Sequence, residues 1–152
     1  MKQLSGSASG ELDAAPEACA RVLAALDSYP RWYPSVVREA EVLEPGPEGR
    51  PAKVRTVLAI AIGPFSKQLE FNLAVEVDWP RQITLSRIPF SASDRETFAL
   101  TWHVSSGPRT RINLGLDANL DVPRLVPTAG VGDRMSASLV RHAIAEIERG
   151  GS

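Results

Sequence analysis

Two histidines, one cysteine and a few hydroxyl and carboxylate groups are the residues of this 152-residue chain that could do acid-base or nucleophilic chemistry. His142 and Glu146 stand one helical turn apart, near Leu139 and Met135, a spacing at which an imidazole and a carboxylate can pass a proton. The same spacing describes an exposed flank pair. His103 falls in the outward phase of a strand, so no second imidazole completes a metal site or relay, and the flank reading is preferred. Gly6-Ser7-Ala8-Ser9-Gly10 places Ala8 where a nucleophile elbow needs serine. Gly130-Val131-Gly132 follows prolines and lacks a third glycine, so it is read as a flexible mouth and not as a dinucleotide fingerprint. No cofactor or metal is expected. Cys19 has no partner for an internal disulfide and lies in a helical apolar pattern, which fits a buried thiol in a reducing compartment.

Three polar residues fall on apolar faces. Arg87 shares its strand phase with Ile83 and Leu85, which turns its guanidinium inward unless a bulge or the strand end near Pro89 moves it to the rim. An inward arginine needs a carboxylate, carbonyls or a ligand anion, because an unpaired buried charge costs several kcal/mol, on the order of 3–5. Thr56 and Ser136 are milder candidates of the same kind.

The elements that would position these residues are legible from hydrophobic period. Pro16 and Glu17 suit the first turn of a helix, and Cys19, Val22, Leu23 and Leu26 follow its i, i+3, i+4, i+7 face. Asp27 is expected to cap a second short helix, Asp27-Ser28-Tyr29-Pro30-Arg31-Trp32-Tyr33, ended by Pro34. Strands fill the middle. Leu69, Phe71, Leu73, Val75, Val77 and Trp79 alternate with polar residues, as do Ile112, Leu114, Leu116, Ala118, Leu120 and Val122, and Phe98, Leu100, Trp102 and Val104. Gly63-Pro64, Pro80-Arg81, Ser91-Ala92-Ser93 and Ser106-Gly107-Pro108 are hairpin-length breaks, and the proline-rich segment Glu44 to Pro51 is the one longer loop. Asp133 is expected to cap a final helix whose inner face is Met135, Leu139, Val140, Ala143, Ile144 and Ile147.

The expected order is therefore strand, two short helices, six strands and a long helix: an α+β chain in which a curved antiparallel sheet of about seven strands wraps a C-terminal helix. One helix about 10 Å across does not fill the concave side of a long twisted sheet. Ser136 and Ala143 are small where a filled core would carry Leu or Phe, so space is expected inside.

Seventeen basic against eighteen acidic residues, with no run of either sign, disfavour nucleic acid as a partner. The longest apolar stretch, Val57 to Phe65, is too short for a spanning helix, and the N-terminus lacks the apolar core of a secretory signal. The expectation is one domain over residues 1–152, in the cytoplasm, with a core that buries roughly 70% of the unfolded surface.

The order of elements and the stretch Leu26-Asp27-Ser28-Tyr29-Pro30-Arg31-Trp32-Tyr33-Pro34-Ser35-Val36-Val37, followed by Glu39, Glu41 and Glu44, resemble the START-like (SRPBCC) superfamily of polyketide cyclases, lipid-transport domains and coenzyme Q-binding proteins. The resemblance spans almost the whole chain. It implies a helix-grip fold with a cavity between sheet and long helix for lipids, quinones, polyketides or other apolar compounds. On periodicity alone, plain core packing accounts for the inward residues. The resemblance turns the same set into a candidate pocket: Thr56 and Leu58, Phe71 and Leu73, Leu85 and Arg87, Phe98, Leu100 and Trp102, Leu114 and Leu116, and Met135, Ser136, Leu139 and Ala143 of the helix. Trp32 and Tyr33 either form a half-wet mouth or cap the core.

The leading expectation is non-catalytic binding of an apolar small molecule, as carrier or sensor. The alternative is an enzyme that resembles the polyketide aromatase/cyclases. A third reading is a protein-interaction module with a filled core, using the outward apolar residues Val57, Ala59 and Ala61, which would also serve a homodimer contact or transient membrane touching.

Overall fold

The computed structural model describes residues 1–150. Its elements are β1 (Lys2–Leu12), α1 (Pro16–Ala24), α2 (Tyr29–Trp32), β2 (Val37–Pro45), β3 (Pro51–Ile62), β4 (Phe65–Asp78), β5 (Gln82–Arg87), β6 (Thr97–Ser105), β7 (Thr110–Leu120) and α3 (Val131–Glu148). The strands form one antiparallel sheet in the order β1-β7-β6-β5-β4-β3-β2. From β2 to β7 each strand pairs with the next in sequence, and β1 closes on β7 from Lys2 opposite Leu120 to Leu12 opposite Thr110. This is the helix-grip arrangement, with α1 and α2 between β1 and β2 and α3 held against the curved sheet.

Period-two alternation sets the two faces. Leu69, Phe71 and Leu73 of β4, Phe98, Leu100, Trp102 and Val104 of β6, and Ile112, Leu114, Leu116, Ala118 and Leu120 of β7 are all buried. The inner face of β1 differs, running Leu4, Gly6, Ala8, Gly10, Leu12, with small residues between two leucines. There α3 lies directly on the strand. A Cβ on Gly6 would overlap backbone atoms of Gly132 and Asp133, and one on Gly132 would overlap the Ser5 carbonyl.

That contact corrects the reading of the Gly130-Val131-Gly132 segment as a flexible mouth. Gly132 is buried in helix–strand packing, and Gly130 is the left-handed residue (φ 75°) at which the chain turns into α3. Asp133 is not a cap either, because α3 begins two residues before it. Its Oδ1 instead accepts from the Ser7 backbone N–H at 3.0 Å, which ties the first turn of α3 to β1. Asp27 lies in a tight turn and caps nothing, since α2 starts after Ser28 with no side-chain cap. Val57 is only 9% exposed, so the outward apolar residues of β3 reduce to half-buried Ala59 and exposed Ala61. Cys19 is a buried free thiol, and burial raises its pKa.

Candidate functional site

Between α3 and the concave face of the sheet lies a cavity of about 50 Å³. Leu58 of β3, Leu73 of β4, Phe98 and Leu100 of β6, and Leu114 and Leu116 of β7 form its floor. Met135, Ser136 and Leu139 of α3 form its roof, and Tyr33 closes one side. The wall is almost wholly apolar. These ten residues were all expected at the pocket from strand phase, helix phase or the aromatic turn.

The other seven expected residues lie elsewhere, each for a physical reason. Thr56 is buried and spends its hydroxyl on the Phe71 carbonyl at 2.9 Å, across the β3–β4 pair. Phe71 packs at 5.6 Å from Phe98 and carries the Arg87 guanidinium on its face at 4.7 Å. Arg87 points inward, as its phase requires, and finds the carboxylate its burial demands: Asp94 at 2.6 Å, with the Glu96 carbonyl at 2.9 Å. That pair fastens the β5–β6 connection onto the sheet. Leu85 and Trp102 are fully buried where α1 packs against β5 and β6, and Ala143 is fully buried on α3. Trp32 is buried between Tyr29 (ring centroids 4.6 Å apart) and Tyr33 (6.2 Å), so it is core and not mouth.

Four wall residues escaped the sequence reading: Leu26, Tyr29 and Val36 from the segment linking α1 to β2, and Val37 at the start of β2. For Tyr29 the signal was its helical spacing with Trp32 and Tyr33, which places three aromatics on adjoining faces. Tyr29 is held firmly. Its hydroxyl donates to the Leu23 carbonyl at 2.6 Å and accepts from Trp102 Nε1 at 3.2 Å, and burial pushes its pKa well above the usual phenol range.

Next to the cavity is a more open cleft of about 350 Å³, lined by Ser35, residues 59–63 at the end of β3, and Val131, Arg134 and Ser138 of α3. Tyr33, Val36 and Met135 line both spaces and so form the partition between them. At its edge, the Tyr33 hydroxyl donates to Ser138 Oγ at 3.0 Å, and the Tyr33 ring lies 4.8 Å from the His142 ring. The His142–Glu146 proton pair does not form. His142 Nδ1 bonds the Ser138 carbonyl at 2.8 Å, while buried Glu146 is engaged by Arg31 at 2.7 Å and Arg149 at 2.8 Å. Glu146 thereby pins α2 to α3. Among the described residues no group of three or more His, Cys, Asp or Glu is placed to hold a metal ion, and no helix is long and apolar enough to cross a membrane.

A START superfamily protein from Mycobacterium smegmatis has the same architecture, with a TM-score of 0.65 and 22% identity over 96% of this chain and 94% of that one. The chain has the START-like fold. The Zhui aromatase/cyclase from a Streptomyces species superposes with a TM-score of 0.64 at 16% identity, covering 97% of this chain and 95% of that one. The solution structure of the KanY protein reaches 0.68 at 16% identity over 97% and 99%. No family model and no curated protein sequence matches the chain. At these identities the START-like likeness is one of fold.

Proposed function

We propose that this protein binds an apolar small molecule between α3 and the sheet, as a carrier or sensor. The observation that carries this reading is the wall itself: fourteen residues from six parts of the chain converge on one space, and nearly every exposed atom there is apolar. Burial of a ligand's apolar surface at about 25 cal/mol per Å² supplies the affinity. At about 50 Å³ the cavity is below the roughly 300–1,000 Å³ of drug-sized sites, whereas the adjoining cleft falls within that range. A ligand therefore occupies both, with Met135 displaced. Met135 suits that role, being half-buried and unbranched, with a side chain that repacks at little cost.

A second reading, a polyketide cyclase-like enzyme, draws on the aromatase/cyclase neighbour and on the Tyr33, Ser138 and His142 cluster at the partition. There an imidazole and a phenol could exchange protons with a folded chain. Native mass spectrometry of the purified protein before and after organic extraction tests the binding reading. A stoichiometric extractable apolar adduct supports it. A clean apo mass, with no binding from a panel of lipids, quinones and polyketides, overturns it.

A further inference from the structure

The cavity wall carries three polar side chains, Tyr29, Tyr33 and Ser136, and their states differ. Tyr29 has given its hydroxyl to Leu23 and Trp102, and Tyr33 has given its own to Ser138. Ser136 is 1% exposed, and its Oγ has no hydrogen-bond partner among the described residues. A buried hydroxyl in that state carries a desolvation penalty that any complementary group entering the cavity would relieve.

The surroundings narrow that group. A water there would find Ser136 and apolar walls, short of the two to four polar partners that typically hold buried water. A carboxylate or phosphate seated in the cavity itself would meet no cation, because that wall holds no Lys, Arg or His and Arg134 lies in the adjoining cleft, and an unpaired charge is the costliest thing to bury. A neutral oxygen remains. The hydroxyl can donate or accept, so a ketone, a phenol or an alcohol would each complete it.

We propose that Ser136 selects the part of the ligand seated in the cavity: a neutral, largely apolar moiety with one hydrogen-bonding oxygen against α3. This rests on the binding reading above and deepens it. Ser136 positions the ligand and sets its orientation, since its Oγ is the wall's one side-chain polar atom with no partner among the described residues.

The test uses two probes of nearly one shape, naphthalene and 2-naphthol, titrated into the wild-type protein and Ser136→Ala. Alanine is favoured inside a helix and removes only the hydroxyl. The expected result is that Ser136→Ala binds naphthalene as well as wild type does but binds 2-naphthol about three- to tenfold more weakly, the range of one hydrogen bond. Equal effects on both probes, or none on either, overturn the Ser136 proposal and leave the cavity reading standing. Failure of naphthalene to bind wild type overturns both.

Discussion

Gly6 of β1 and Gly132 of α3 meet backbone to backbone, and neither position has room for a single added carbon. The contact fixes how closely α3 approaches one edge of the sheet, while the cavity opens beneath the same helix further across, over β3, β4, β6 and β7. Gly6→Ala is therefore expected to lower stability by about 1–3 kcal/mol, the cost of overpacking. Gly115→Ala, at a strand position with open space around the new Cβ, is expected to be neutral or slightly stabilising. Urea denaturation of the two variants checks this contrast, and equal losses would refute it.

Asp94 carries the Arg87 guanidinium and accepts from the Phe90 and Glu96 backbone N–H groups. These bonds, the Arg87 bond first, lower its pKa to about 2. A depressed carboxylate pKa gives stability that is present above the unfolded value, about 4, and fades as pH falls toward 2. Asp94→Asn should melt below wild type at pH 7, and the gap should close between pH 4 and pH 2. A gap independent of pH over that window would contradict the assignment.

The Tyr29 hydroxyl joins α1, through Leu23, to β6, through Trp102. Tyr29→Phe should cost about 1–3 kcal/mol, because it leaves the buried indole N–H without its acceptor. In wild type the raised phenol pKa makes folding favourable below pH 10, and that contribution is lost as pH climbs beyond it. Tyrosinate absorbance followed against pH in wild type and Tyr29→Phe should show that Tyr29 ionises only with unfolding.

Met135 stands in the partition between cavity and cleft. Met135→Ala should widen that partition and raise the association rate of an apolar fluorescent probe several-fold, while a bulky Met135→Trp should slow it. Stopped-flow fluorescence reads both. Unchanged rates in the two variants would place the route elsewhere.

The sequence by itself determined the faces. Period two along β4, β6 and β7 commits every second residue to the interior, and the 3.6-residue period of α3 commits Leu139, Val140, Ala143 and Ile147 to the same side, so the order of strand, two short helices, six strands and a long helix is legible in the chain. Periodicity says which face a residue occupies and not what it meets there. Leu100 and Trp102 share a face of β6, yet Leu100 lines the cavity and Trp102 bonds Tyr29 at the end covered by α1. That difference depends on strand register, on the curl of the sheet and on where α1 and α3 settle, all of them contacts between residues far apart in the chain. Asp133 shows the same limit: read locally it is a helix cap, but α3 begins two residues before it and its carboxylate accepts from the Ser7 N–H of β1. Ser136 was legible as a small residue on an apolar helix face. Only the tertiary structure decided that its hydroxyl is left unpaired, because that depends on the wall's other polar side chains, Tyr29 and Tyr33, having found partners elsewhere.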